Sequence, residues 1–444
     1  MRTASFLSCA VMLLEAAVAV PIYAQQLDLL QTLTGAEPVT VGLRGFTPGE
    51  QVEIEAVRRN ADGTYRSAAI FVVGPDGAID LARDPAIAGS YQGVDPAGLF
   101  WSMRPTPPGA AEPAGITVRA LGNCQEVSRD AAALADLPDG IVMRPVAEFV
   151  GARLYRPAGT DRLGVIIVLG GSEGGSGFGR SMGPVFAAQG YAVLALPYYA
   201  PSWGSEELSG PPGAFTDIPV DRLEDVRRWI LTQPDIDPAR IGLHGISKGG
   251  EFALIAATRM PWLRAVSAIV PRDVVWEGRG SDAPPGTASS FSWDGQPLPF
   301  VPYRGMEEAI AALARGERRA LTVPHLEGRR ANPDKAAAAR IPVEEYKGPL
   351  LIAGGDRDAT WPSGEMVRAV AERRAGEGLP TVALSFAEAG HSLGGTGWTP
   401  MDYEGRPVPA SIDVAAQRIV HAAVIDFFSR ELGRLSSEPT QADR

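Results

Sequence analysis

From about residue 38 the apolar positions recur at every second residue. VTVGLRG reads as a short strand closed by the turn GFTPGE. In EQVEIEAVRR, Val52, Ile54 and Ala56 fall on one face, and Gln51, Glu53 and Glu55 on the other. Asp62-Gly63 and Pro75-Asp76-Gly77 are turn signals on either side of YRSAAIFVV. Short strands at this spacing predict an all-β, immunoglobulin-like sandwich over residues 25–130. The segment RDAAALADLPDG that follows reads as a linker.

Over residues 131–434 the period changes. GVIIVLGG, YAVLALP, RIGLHG, GPLLIAGG and TVALSFAEAG are continuous apolar runs of strand length. Between them lie helical patterns: GPVFAAQ, VDRLEDVRRWILTQ with Leu223, Val226 and Ile230 on one face, GGEFALIAATRM, and SGEMVRAVAERRAG. AAQRIVHAAVIDFFSREL closes the series. Strand and helix in alternation predict a mostly parallel sheet covered on both faces. Residues 278–345 interrupt the alternation with Gly, Pro and charge, and are expected as an insertion over the active edge of the sheet. Residues 435–444 read as a flexible tail.

Composition alters this picture little. Of 444 residues, 45% are apolar and 21% charged, a globular balance. The formal net charge is −11, and no dense Lys/Arg run interrupts it, so nucleic acid is not an expected partner. The first 24 residues matter more. Arg2, the run SFLSCAVMLLEAAVAV and the small residue Ala24 read as a removable export signal, although Glu15 breaks the apolar region. The protein is therefore expected in the periplasm or outside the cell, with no membrane span once the signal is gone. Of the two cysteines, Cys9 leaves with the signal, so Cys124 has no internal partner.

The chemistry must be sought among the serines. Gly-x-Ser-x-Gly occurs around Ser172, Ser181, Ser247 and Ser392, and a chain with 51 glycines produces such matches by chance. A nucleophile elbow needs a strand before the serine and a helix after it, with glycines that let the two approach. Ser247 has both, between RIGLHG and GGEFALIAATRM. Ser172 follows a strand but is followed by glycine; Ser181 precedes a helix without a strand before it; Ser392 adjoins a better-motivated histidine.

A serine nucleophile needs a base. In this fold class it follows the serine and the acid along the chain. Of the four histidines, His244 precedes the serine in a strand, His325 lies in the insertion and His421 lies within the last helix. His391, in a glycine-rich loop after TVALSFA, is expected as the base. The acid should follow LLIAGG, where Asp356 and Asp358 both stand. The oxyanion hole is expected from the N–H of Lys248, next to the nucleophile, and from Gly171 or Ser172 in LGGSEGG. No Gly-Lys-Ser/Thr ending follows that loop, which speaks against a phosphate cradle. No cofactor and no metal are expected.

These residues add up to a resemblance. The N-terminal GLRGFTPGEQVEIEA, SAAIFVVGPDGAIDL and GSYQGVDPAGLFWSMRP, with VIIVLGGSEGG, IGLHGISKGGE, VVWEG, PLPFVP, RIPVEEYKGPLLIAGG and ATWPS, occur in the same order as in one family. The chain resembles the acyl-CoA thioesterases and bile acid-CoA:amino acid N-acyltransferases over nearly its whole mature length. That resemblance implies a sandwich followed by an α/β-hydrolase domain with a Ser/Asp/His triad. Ser247, Asp358 and His391 fall on its positions, and Asp358 is favoured because its spacing to Trp361 fits the family's Asp-x-x-Trp. The amino-acid-conjugating members use cysteine as nucleophile, so serine here implies hydrolysis of a small-molecule substrate, an acyl thioester or ester. An acyltransferase acting on an amine or alcohol, and a binding protein on a hydrolase scaffold, are the alternatives. Arg272 and Arg304, near the presumed active edge, are expected to be solvated or paired surface charges. The well-known members work inside cells, whereas this chain carries an export signal and ends in QADR without a Ser-Lys-Leu address.

Overall fold

The computed structural model describes residues 25–433 apart from 30–31, 34–39, 61–62, 108–113, 123–124, 135–136, 160–161, 202–207, 281–282, 318–319 and 400–407. The expected signal, the terminal tail and Cys124 lie outside the described residues.

The alternating N-terminal segments form antiparallel sheets. Gln51–Asn60 and Gly63–Val72 pair along their whole length, from Gln51 opposite Val72 to Asn60 opposite Gly63. Gly115–Gly122 and Gln125–Leu134 extend that sheet. Gln26–Leu29, Val41–Arg44 and Ala78–Asp80 form a second, smaller sheet on the same core. Val52, Ile54 and Ala56 are fully buried, as the period-two pattern requires, and meet Leu43, Phe71, Ile79, Phe100 and Val118 in one core. The linker reading fails for its first half. Arg129–Leu134 is the end of a strand, paired both to Gly115–Gly122 and, in parallel, to Thr32–Leu33. Alanine and aspartate favour strands poorly, and here the two neighbours supply the order.

The second region is built on eight strands: β1 (Ile141–Pro145), β2 (Arg153–Pro157), β3 (Leu163–Leu169), β4 (Ala192–Ala195), β5 (Ile236–Ile246), β6 (Ala265–Ile269), β7 (Leu350–Gly355) and β8 (Thr381–Phe386). Their spatial order is β1-β2-β4-β3-β5-β6-β7-β8. From β4 to β8 every pairing is parallel, while β1 and β2 join antiparallel at one edge. Five of the eight strands coincide with the continuous apolar runs; β1, β2 and β6 do not.

Side chains alternate across this sheet. Ile167, Leu169, Leu194 and Leu243 face α2 (Arg222–Ile230), α3 (Lys248–Arg259) and α7 (Ser363–Gly376). Ile166, Val168, Val193 and Leu351 face α1 (Gly177–Ala188) and α8 (Ala410–Leu432). Helices cover both faces, as the uninterrupted apolar strands demand. This is an α/β-hydrolase fold. The insertion between β6 and β7 has structure of its own. Phe291–Trp293 pairs with Ile218–Pro219, and α4 (Met306–Ala314), α5 (Thr322–Ala331) and α6 (Pro333–Ala338) follow. No helix among the described residues is long and apolar enough to cross a membrane.

Candidate active site

Strand β5 ends at Ile246, and α3 begins at Lys248. One residue, Ser247, must turn the chain between them. It does so at φ 58° and ψ −120°, a backbone region that an L-residue with a side chain seldom adopts. Glycine makes the turn possible. A Cβ at Gly245 would lie 2.1 Å from the Gly249 carbonyl, and one at Gly249 would lie 2.2 Å from the Gly170 carbonyl. The Ser247 N–H is held by the Ile269 carbonyl at the end of β6, 2.8 Å away. The other Gly-x-Ser-x-Gly serines are placed differently. Ser172 is exposed in a turn, and Ser181 lies within α1 with its hydroxyl donating to the Phe178 carbonyl. Ser392 follows His391 in its loop, and its carbonyl accepts from Gln417.

The carboxyl edge of the sheet brings two further groups to the serine. His391 follows β8, and its Nε2 lies 3.1 Å from Ser247 Oγ. Asp358 follows β7, and its Oδ2 lies 2.7 Å from His391 Nδ1. A carboxylate only accepts, so Nδ1 carries the proton and Nε2 is left bare to accept from the serine hydroxyl. Asp358 is itself fixed. Its Oδ1 accepts the N–H groups of Thr360 at 2.8 Å and Trp361 at 3.2 Å, and its side chain is fully buried. Trp361 stands edge-on to the His391 ring at 4.5 Å and donates its indole N–H to the Val270 carbonyl. Asp356 points elsewhere, to Arg368 on the exposed side of α7. This hydrogen-bonded chain can move the Ser247 proton to His391 while the buried carboxylate steadies the imidazolium.

Of the expected oxyanion donors, Lys248 N–H opens α3, in the first turn, where a helix amide has no partner within its own helix. Gly171 lies against the serine, and a Cβ there would sit 3.0 Å from Ser247 Cβ. Its N–H, however, donates to Glu173 Oε1 at 2.7 Å. Ser172 lines the adjoining cavity.

That cavity, of about 710 Å³, runs from Ser172, Lys248 and Trp361 under the insertion, past Phe215, Met306 and Leu321. Its wall contains charges that sequence reasoning missed. Lys248 Nζ, almost wholly buried, lies 2.7 Å from Glu251 Oε2 and 2.9 Å from Ser290 Oγ, between the Phe215 and Phe291 rings. Burial brings its ammonium down to about 7, against the opposing pull of Glu251. Arg272 is not the surface charge expected. It is buried, donates to Glu251 Oε2 and to the Tyr303 hydroxyl, and lies 3.9 Å over the Trp361 ring. Lys248 and Glu251 stand one helical turn apart on α3, a spacing that could have flagged the pair. Nothing local marks Arg272 as the second cation on the same carboxylate. Arg304 is exposed.

The remaining histidines are structural in their surroundings. His244 lies beneath the elbow among Phe178, Phe186 and Phe428, where burial lowers it to about 3. His325 is enclosed by Trp276, Tyr303 and Trp361, and burial, with help from Arg272, lowers it strongly. His421 is lowered by burial in α8.

Two family models match the chain. Residues 36–133 match the acyl-CoA thioester hydrolase/BAAT N-terminal region, and residues 218–396 match the BAAT/acyl-CoA thioester hydrolase C-terminal region. The chain belongs to this family. As a member it is an enzyme of the hydrolase class. Its relatives include mouse acyl-coenzyme A thioesterase 6, 26% identical over 373 residues, with 80% of this chain and 82% of that protein covered. Mouse peroxisomal succinyl-coenzyme A thioesterase is 28% identical over 379 residues, with the same coverage. A putative dienelactone hydrolase structure from Klebsiella pneumoniae aligns with TM-score 0.41 and 15% identity, covering 66% of this chain and 100% of that one.

Proposed function

We propose that the protein hydrolyses acyl thioesters through an acyl-enzyme on Ser247. His391 takes the hydroxyl proton as Ser247 Oγ bonds to the acyl carbon. The C–S bond then breaks, and the leaving thiolate takes the proton from His391. Water attacks the serine ester next and gives a proton to His391, which passes it to Ser247 Oγ as the C–O bond breaks and the free acid leaves. Asp358 fixes the imidazole tautomer throughout. The observation that carries this reading is the single hydrogen-bonded chain from Ser247 Oγ through His391 to the buried Asp358, at an elbow strained at the serine. The thioester is preferred over an oxygen ester because of the relatives named above, and the cavity that opens beside Ser172 and Lys248, with Phe215, Met306, Ile310 and Leu321 in its wall, has room for an acyl chain.

A fluorophosphonate probe tests the nucleophile. It should label the wild type on Ser247 and leave Ser247→Ala unlabelled; absence of label on the folded wild type would overturn the reading. Product analysis of a turned-over acyl thioester with excess glycine or taurine should give free acid, whereas mainly N-acyl product would make the enzyme a transferase. We also propose that the protein is exported, from its basic start, apolar run and Ala24 junction. N-terminal sequencing from the native host should begin near Gln25. Acyl-CoA is scarce outside the cytoplasm, so an exported enzyme would meet other thioesters or esters, and an intact Met1 would restore acyl-CoA as the first substrate to try.

A further inference from the structure

An acyl carbonyl attacked by Ser247 places its oxygen against the N–H groups expected of an oxyanion hole. One of those, on Gly171, is already occupied in the free protein. Tyr198 donates its hydroxyl to the Gly170 carbonyl at 3.1 Å. In a planar trans peptide the Gly171 N–H must point the opposite way. There it meets Glu173 Oε1 at 2.7 Å. The second carboxylate oxygen lies on the same side. The position of a Cβ on Gly171 would be 2.6 Å from Glu173 Oε2 and 3.3 Å from Ser247 Oγ, so carboxylate and hydroxyl flank one small volume. Gly174 at φ 66° and Gly175 at φ 63° give the loop the turn that follows Glu173. Glu173 is exposed, and no Lys or Arg pairs with it among the described residues. Its carboxylate is therefore held there by a backbone donor and not by a charge.

We propose that Glu173 is the resident occupant of the oxyanion site, which an acyl carbonyl must displace before Ser247 can attack. The inference rests on the nucleophile assigned above. It has two consequences. The displaced carboxylate opposes entry of any acyl group, because one charge-assisted hydrogen bond is exchanged for a weaker neutral one. It also repels an anion in the same place, which hastens departure of the product acid. Glu173 is thus a specificity-determining residue that favours uncharged carbonyl over free carboxylate.

The test compares wild type, Glu173→Ala and Glu173→Gln. p-Nitrophenyl butyrate serves as substrate, butyrate as product inhibitor and phenylboronic acid as transition-state analogue. In the boronate adduct the Ser247 Oγ–B bond forms and the serine proton passes to His391 Nε2. Glu173→Ala should tighten phenylboronic acid and butyrate roughly tenfold each and raise kcat/KM through a lower KM. Glu173→Gln keeps an acceptor for Gly171 without the charge and should fall between. If Glu173→Ala instead binds phenylboronic acid no better and loses kcat, Glu173 orders the loop and the proposal is overturned. Fluorophosphonate labelling of the same preparations separates the two ideas. Labelled Ser247 with unmoved inhibition constants removes only the role of Glu173; unlabelled Ser247 removes the nucleophile beneath it.

Discussion

Replacing Asp358 with asparagine changes one atom, and the surroundings decide which way the new amide turns. Oδ1 accepts two backbone N–H groups, from Thr360 and Trp361. An amide NH₂ cannot sit there without opposing both donors, so the asparagine carbonyl keeps that position. The NH₂ then faces His391 Nδ1, where the carboxylate oxygen now lies at 2.7 Å. It can only donate, so Nδ1 must become the acceptor and the proton moves to Nε2. That nitrogen then offers a hydrogen to Ser247 Oγ and cannot take one. Serine-hydrolase triads lose about 10⁴-fold in kcat from this wrong tautomer, or ~5 kcal/mol of transition-state stabilisation. The shape is unchanged, so KM should move by less than about threefold. Asp356→Asn is the control, since it loses only an exposed pair with Arg368 and should keep activity within about twofold. Steady-state hydrolysis of an acyl thioester, with thermal melts to show that each variant folds, measures both. Asp358→Asn within about tenfold of wild type, or Asp356→Asn as the more damaging change, would refute the reasoning.

Two further outcomes concern stability. Glu251→Gln strands Lys248 and Arg272 without their shared carboxylate, and urea unfolding should show a loss of about 3 kcal/mol or more. His244 is held neutral down to about pH 3, while the unfolded chain protonates it near 6.5. Between those values the unfolded state binds the extra proton, so stability falls as pH drops from about 6.5 towards 3. One such group contributes up to about 1.4 kcal/mol per pH unit, and His244→Asn should show a correspondingly shallower slope in urea unfolding at pH 7 and pH 5.

The positions of Ser247 and His391 were legible because both stand where an apolar run meets glycine, and a parallel sheet delivers all such junctions to one edge. Asp358 was not separable from Asp356 by that argument, since both follow the same strand; the two backbone donors that fix Asp358 come from residues beyond it. β1 and β2 were missed because they pair antiparallel at the sheet's edge and are partly exposed, and so lack the continuous apolar signature. Arg129–Leu134 was read as a linker because its alanines and aspartate favour no strand; its order is imposed by Gly115–Gly122 and Thr32–Leu33. Arg272 shows a different blindness. A lone charge just past the end of a strand reads as surface, and only the fold brings it over Trp361 and onto the carboxylate of Glu251. Glu173 was in plain view within LGGSEGG, but the direction of a side chain within a loop is not written in the order of its residues.

The sandwich touches the loop that begins at His391. His391 begins a loop that runs through Gly397 and Trp398 towards α8. Arg418 on α8 donates to the Gly397 carbonyl and stacks 4.5 Å over the Trp398 ring. The same guanidinium meets both oxygens of Asp95, in the sandwich, at 3.0 and 2.8 Å. Asp95 in turn accepts from the Trp101 indole and the Ala97 N–H. Trp398 packs against the sandwich core, so the loop that carries the imidazole is braced by that domain. Asp95→Ala should therefore do two things. Loss of a bidentate, partly buried pair and of the Trp101 contact should cost about 2 kcal/mol, read by urea unfolding. Looser placement of His391 should also lower kcat, by roughly tenfold, because small misplacements of a base are costly. Arg418→Lys, which keeps the charge but not the fork, should lie between. A variant that melts earlier yet turns over at the wild-type rate, at a temperature where it is fully folded, would show that the sandwich stabilises the chain without positioning His391.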